Sequence, residues 1–179
     1  MTTTPNGLLL VLAVMVPFVG VLVAFLLGGR AAERIAGVTI LAGLSVVFAI
    51  TWAMGQSDGG LVYLLGGWVP PLGVALRADN FALVMMLMVA LVVAGIGLYA
   101  RSDFSTPAGV REARRPEVFW TLLLAIWGSL NLMFLSGDLF TLYVALELLT
   151  LSAIPLVSLD GRAETLRAAL RYLIFALLG

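Results

Sequence analysis

The feature that most constrains this chain is a series of long apolar stretches without a charged side chain. A helix of about 20 residues crosses a hydrocarbon core of about 30 Å, because each residue adds about 1.5 Å. Stretches of that length occupy residues 7–29, 35–54, 80–100 and 118–137, and a fifth at 139–159 has the same length but contains Glu147. The pattern predicts five complete transmembrane helices.

A sixth apolar stretch starts near Ala168, and the sequence ends at Gly179. As a helix, these last residues would reach only about 18 Å, which is too short to cross. We therefore expect an all-α polytopic transmembrane bundle with a truncated sixth helix at residues 168–179, and we expect the sequence to be a fragment or a truncated product.

Arginine positions predict the orientation of the bundle. All ten cationic side chains are arginines, and basic residues near helix ends tend to stay on the cytoplasmic side. With the N-terminus outside, the first, third and fifth connections face inward and hold nine of the ten, at positions 30, 34, 101, 111, 114, 115, 162, 167 and 171. Only Arg77 remains on the outer side.

Composition excludes several classes of function. The ten arginines are balanced by ten acidic residues, so there is no concentrated basic face of the kind that binds nucleic acid. Cysteine and histidine are both absent, which removes thiol nucleophiles, Cys/His zinc sites and haem-binding histidines. We also find no nucleotide-binding glycine pattern and no catalytic triad. The sequence therefore predicts no catalytic site, metal or cofactor of its own.

The connection between the second and third stretches is apolar but rich in glycine and proline. It reads GQSDGG followed by LVYLLGGWVPPLGVAL, which is too short and too interrupted to span the membrane. We expect an extended, hairpin-like segment on the outer face. Asp79 then precedes the third helix and Asp138 the fifth, and each is predicted to cap its helix N-terminus.

Glu147 is the residue that carries most information. An ionisable group near mid-membrane costs about 2.5–3.5 kcal/mol on insertion scales, so it is seldom kept without a use. Tyr143, Thr150 and Ser158 lie at helical spacings that place them on nearly the same face. A carboxyl group in a low-dielectric site holds its proton, and an approaching cation favours release. Glu147 is thus a candidate proton carrier, and the alternative is a neutral glutamate that bonds a neighbouring helix.

Other polar or irregular positions have structural interpretations. Pro155 lacks a backbone N–H, and its ring would clash with the carbonyl of Leu151, so we expect a kink or loosened turn beyond Glu147. The freed carbonyl could bind water near the polar stripe, or the kink could serve packing alone. Ser129 and Asn131 in the fourth helix are predicted to form interhelical hydrogen bonds.

The segment SGDLFTLYVALELLTLSAIPLVSL, followed by DGR and AALRYLIFALLG, resembles the central part of the antiporter-like membrane subunits. That family includes the Mrp-type cation/proton antiporters, through their D subunit, and membrane subunits of respiratory complex I and membrane-bound hydrogenases. The segment GGWVPPLGVALRADNFALVMML is similar to the region before the third helix. The resemblance covers about residues 60–179.

The resemblance implies that residues 1–179 form the N-terminal part of one transmembrane domain of about fourteen helices. In that family a glutamate of the fifth helix, matched by Glu147, pairs with a lysine on a broken seventh helix. This chain contains no lysine, so the partner would fall beyond Gly179. The implied partners are other hydrophobic subunits, the lipid bilayer, protons and a monovalent cation such as sodium, and the implied location is a prokaryotic plasma membrane.

Two functional hypotheses follow. In the first, the chain belongs to a subunit of a complex that moves protons, or exchanges a cation for protons, and Glu147 accepts the proton. In the second, it is a non-transporting scaffold of a respiratory or hydrogenase membrane arm. The sequence does not separate an antiporter from a redox-driven pump such as an NADH:quinone oxidoreductase-like complex, because their membrane subunits are alike.

Overall fold

A computed structural model of the chain describes residues 3–56, 59–68, 73–103 and 114–178. Five helices are long and apolar enough to cross a membrane, which confirms the predicted all-α polytopic bundle. They are α1 (Leu8–Leu27), α2 (Gly29–Gly55), α3 (Asn80–Asp103), α4 (Arg114–Leu135) and α5 (Leu139–Val157). A sixth helix, α6 (Ala163–Leu178), has 16 residues.

Three helices begin earlier than the sequence predicted. The starts are Gly29 in place of residue 35, Arg114 in place of 118 and Ala163 in place of 168. The predicted starts followed the last charged residue, but long charged side chains extend from a helix end to water while the backbone stays helical. α5 also ends two residues early, at Val157, and a 3-10 turn spans Ser158–Asp160.

The core lies among α1 to α4 and is built around two tryptophans. Trp120 and Trp127 of α4 are almost fully buried. The ring of Trp127 lies so close to Gly43 of α2 that a Cβ there would overlap it, and a Cβ at Gly20 of α1 would lie 2.6 Å from Thr39. Small residues at these crossings let helix backbones approach, which is how membrane helices gain packing energy.

A proline in α1 creates a second link between helices. Pro17 has no N–H, so the carbonyl of Ala13, four residues earlier, loses its partner within the helix. The side-chain amide of Asn131 in α4 donates to that carbonyl at 2.8 Å. The predicted interhelical bond of Asn131 is therefore present. Ser129 differs from the prediction, because its hydroxyl donates to Ala125 of its own helix at 2.8 Å.

The predicted hairpin is present between α2 and α3. Strand β1 (Leu61–Leu64) pairs antiparallel with β2 (Ala75–Ala78), with Leu61 opposite Ala78 and Leu64 opposite Ala75. The other edge of β1 receives the backbone N–H of Thr4, which donates to Val62 at 2.9 Å. The N–H of Gly137, before α5, donates to Ala75 of β2 at 2.8 Å. Both edges are thus covered, as an unpaired strand edge requires.

The bundle has two distinct ends. At one end, the N–H of Gly29 donates to the Glu117 carboxylate at 3.4 Å, and the Arg115 guanidinium lies beside Gly161. This end gathers the α1–α2 turn, the start of α4 and the α5–α6 turn, and we call it the arginine end. The hairpin, with Arg77, lies at the other. Arg111 and residues 69–72 lie outside the described residues.

Candidate functional site

The site is carried by α5, whose start is fixed by Asp138. Asp138 is extended, with φ −147° and ψ 157°, and its carboxylate accepts the N–H of Thr141 at 2.7 Å. The Thr141 hydroxyl donates to the second carboxylate oxygen, also at 2.7 Å. This is the geometry of an N-cap, which satisfies amides that have no partner inside the helix.

Asp138 also joins α5 to the hairpin. Burial raises the pKa of its carboxyl, but hydrogen bonds from Thr141 and from the backbone of Ala75 and Phe140 outweigh that effect and hold the pKa below its usual value. Asp79 performs the matching task for α3, since its carboxylate accepts the N–H of Ala82 at 2.8 Å. Both aspartates therefore lie at the hairpin end and away from Glu147.

Two opposite faces of α5 have different surroundings. Thr141, Ala145 and Ser152 are the buried positions and face the α1 to α4 core. Tyr143, Glu147 and Thr150 fall on the far side of the helix by their spacing. Tyr143 is 57% exposed, and Glu147 is half-buried. The polar stripe predicted from the sequence is therefore turned away from the packed core.

Glu147 is held by Tyr143. The phenol of Tyr143 donates a hydrogen bond to the Glu147 carboxylate, one helical turn along. Among the residues that the structure describes, this is the one partner of the carboxylate, and no arginine there forms an ion pair with it. The phenol thus keeps the carboxylate oriented.

Thr150 and Ser158 share the face, but their hydroxyl groups form no hydrogen bond with Glu147. The hydroxyl of Thr150 donates to the carbonyl of Leu146 at 2.9 Å, and that of Ser158 to the carbonyl of Ile154 at 3.1 Å. In an apolar helix, a hydroxyl group donates to a backbone carbonyl of its own helix in this way when no other polar group is near. Of the three predicted supporting residues, the structure brings only Tyr143 to the carboxylate.

Pro155 lies inside α5, two residues before its end. The α-helical backbone continues to Val157 and then tightens into the 3-10 turn at Ser158–Asp160. The hydroxyl of Ser158 donates to the carbonyls of Ile154 and Pro155, at 3.1 and 3.2 Å. The irregularity beyond Glu147 is thus a change of helix type near the arginine end.

Two contributors were missed by the sequence analysis. Thr141 completes the cap of Asp138 with its hydroxyl, and the spacing D-x-x-T at a helix start is the signal that could have shown it. Glu117 links α4 to the first residue of α2. An acidic residue in the first turn of a helix is usually explained by the helix dipole alone, so nothing in the sequence indicated that contact.

The described part of the chain contains no cluster of three or more potential metal-ligating side chains of the His, Cys, Asp or Glu type. What this face of α5 offers chemically is a carboxylate, a group that can bind a proton, with a hydroxyl donor beside it.

Known proteins similar to this chain are membrane subunits. The chain is 32% identical to the D subunit of the Na⁺/H⁺ antiporter of Alkalihalophilus pseudofirmus over 168 residues, which is 93% of this chain and 33% of that protein. It is 35% identical to the N subunit of the NADH-quinone oxidoreductase of Desulforudis audaxviator over 139 residues, covering 78% of this chain and 26% of the relative. No protein-family model matches the chain.

A solved structure shares the fold. A chain of the membrane-bound sulfane sulfur reductase, an archaeal respiratory membrane complex, superimposes with a TM-score of 0.78 at 20% identity, over 92% of this chain and 33% of its own length. The present chain therefore spans about a quarter to a third of the length of these proteins. From its similarity to these antiporter and oxidoreductase subunits, this multi-pass membrane protein belongs to the family of antiporter-like membrane subunits.

Proposed function

We propose that the chain is part of a membrane subunit of a multisubunit complex that moves protons, or exchanges a monovalent cation such as sodium for protons, across a prokaryotic plasma membrane. In this proposal Glu147 is the proton-accepting carboxylate. The observation that carries it is the position of Glu147, in the middle of a membrane-spanning helix, bonded to Tyr143 and turned away from the α1 to α4 core.

The chemistry follows from this position. A charged carboxylate in an apolar setting is costly, and among the described residues Glu147 has no ion-pair partner to offset that cost, so binding a proton is favoured. A cation that approaches the outward face of α5 would favour the charged form and release that proton. Tyr143 would stabilise the charged form by its hydrogen bond and so limit the cost of each cycle. The names of the relatives, Na⁺/H⁺ antiporter and NADH-quinone oxidoreductase, support a role in moving ions.

The test is proton and sodium flux in vesicles that contain the whole assembled complex. Glu147→Gln keeps the size of the side chain but cannot release a proton, and we expect it to reduce coupled flux at least ten-fold, because a positioned proton-transfer group contributes about 10²–10⁴-fold. Glu164→Gln is the matched control, since Glu164 lies in the first turn of α6 at the arginine end, and it should leave flux unchanged. Unchanged flux in Glu147→Gln would refute the proposal.

Tyr143→Phe separates the role of the hydrogen bond from that of the carboxylate. It removes the phenol donor and keeps the ring, so flux should fall less than in Glu147→Gln. A scaffold function predicts a different result: Glu147→Gln would then impair assembly of the complex, seen on a native gel, and vesicles with correctly assembled mutant complex would transport normally.

A further inference from the structure

Two apolar grooves run along opposite sides of α2 and open at the surface of the bundle. The α1–α2 groove is a cavity of about 500 Å³ lined by Leu12, Val19 and Val23 of α1 and by Val38 and Ala42 of α2. It extends from Leu12 to Val23, which is roughly 16 Å along α1. The α2–α3 groove is about 240 Å³, lies between Leu41 and Leu98, and has Trp120 as part of its wall.

Each groove has an arginine at the same end. Arg34 lines the α1–α2 groove and Arg101 lines the α2–α3 groove. The Arg101 guanidinium reaches across to α2, where it would lie 2.8 Å from a Cβ at Gly37. Gly37 is three residues after Arg34, so the two positions are neighbours on the helix surface. Among the described residues, neither arginine has a hydrogen-bond or ion-pair partner.

We propose that α2 seats one anionic phospholipid, with one acyl chain in each groove and the headgroup phosphate on Arg34 and Arg101. Two guanidinium groups that have no acidic partner among the described residues match a phosphate, which accepts hydrogen bonds from both. The grooves match two acyl chains, since the side chains that line them, apart from the arginines and Thr39, are apolar. Basic pockets between transmembrane helices on the cytoplasmic side are sites of this kind.

The ridge between the grooves favours a lipid over the helix of a neighbouring subunit. Val38 and Leu41 stand on this ridge and are 68% and 66% exposed. A helix is about 10 Å wide, so it would rest on the ridge and leave both grooves unfilled. Two thin chains can lie one on each side, and thus bury more apolar surface against α2.

The test uses native mass spectrometry of the full chain in detergent with equal amounts of phosphatidylglycerol and phosphatidylcholine of identical acyl chains. We expect one retained lipid and a preference for phosphatidylglycerol. Arg34→Gln and Arg101→Gln should each lower that preference about five-fold, since one arginine near the headgroups contributes roughly 1 kcal/mol. Arg77→Gln, an exposed arginine on β2 at the hairpin end, should leave the preference unchanged. Equal retention of both lipids by the unchanged chain would overturn the proposal.

A second pair of variants tests the groove independently of charge. Ala42→Leu adds bulk to the exposed lining of the α1–α2 groove, and it should lower retention of both lipids. Val92→Phe adds similar bulk on the exposed surface of α3 outside both grooves, and it should not. If Ala42→Leu retains as much lipid as Val92→Phe and the unchanged chain do, the grooves do not hold the acyl chains, and the proposal fails.

Discussion

The bond from Asn131 to the carbonyl of Ala13 shows how one residue answers a defect created by another. Pro17 removes the intrahelical partner of that carbonyl, and Asn131, 118 positions away in sequence, replaces it at 2.8 Å. The other amide atom of Asn131, its Oδ1, is buried without a partner among the described residues, as is Nε1 of Trp127. Among the described residues, the side chain of Asn131 therefore forms this one hydrogen bond. We expect its contribution to the free energy of unfolding to depend on Pro17.

This dependence can be measured by a double-mutant cycle. Asn131→Leu should lower the free energy of unfolding by about 1 kcal/mol, because it leaves the Ala13 carbonyl unpaired in an apolar setting. In a Pro17→Ala background the carbonyl regains its partner within α1, so the same change should cost markedly less. Ser129→Ala is the control, since the Ser129 hydroxyl bonds within its own helix and should show no coupling to Pro17. Equal costs of Asn131→Leu in both backgrounds would show that the two residues are independent.

Asp138 gives a pH-dependent prediction. The hydrogen bonds to its carboxylate hold its pKa below the usual value, so the cap contributes stability above the unfolded pKa, and that stability is lost as the pH falls through the folded pKa. Asp138→Ala should therefore lower the free energy of unfolding by about 1 kcal/mol near neutral pH and by less at about pH 3.

Asp138→Asn separates charge from capping. The asparagine oxygen can still accept the N–H of Thr141, so this variant should keep part of the cap, and its contribution should not change with pH. Unfolding by denaturant in detergent, at both pH values, measures the difference. If the difference in free energy of unfolding between the unchanged chain and Asp138→Asn is the same at both pH values, the role of the carboxylate charge is contradicted.

At the scale of elements, the contact between α2 and α4 is determined by the absence of a side chain. The ring of Trp127 occupies the space beside Gly43, and this lets the two backbones approach. Gly95 of α3 is different, because a Cβ there would meet nothing within 4 Å. The packing therefore requires glycine at position 43 but leaves room for a larger side chain at position 95.

Alanine at these two positions should have opposite effects. Gly43→Ala forces a methyl group into the Trp127 ring and should destabilise the chain by about 1–3 kcal/mol. Gly95→Ala adds a methyl group in open space and improves helix propensity, so it should be neutral or stabilising by up to about 1 kcal/mol. Thermal unfolding in the same detergent compares them. Similar melting temperatures for the two variants would mean that α2 and α4 separate easily at this crossing.

At the scale of the whole molecule, α5 differs from the other spanning helices. Only 17% of the residues in the most apolar part of α5 are buried, whereas the corresponding share is 33% to 50% in α1 to α4. The hairpin, clamped between the Thr4 segment and the α4–α5 turn, fixes one end of α5. The described residues thus form a packed four-helix core that presents α5, with Glu147 on its uncovered side.

The sequence by itself determined the number of spanning helices and the hairpin, and it singled out Glu147 as the residue proposed to carry the site. Each depends on local properties: an apolar length, a run of glycine and proline, and one carboxylate within an apolar stretch. It also predicted that Tyr143 would lie one turn from Glu147, because helical spacing alone brings residues four apart together.

Only the tertiary structure decided which polar groups meet and which remain apart. Thr150 and Ser158 have the right helical phase but donate to their own backbone, a choice that depends on what lies opposite them. The bond from Asn131 to Ala13 and the close approach of Trp127 to Gly43 join residues far apart in sequence. The helix starts predicted from charge were wrong because a charged side chain can extend into water while the backbone that carries it is helical. Long-range packing, which no local pattern records, set these features.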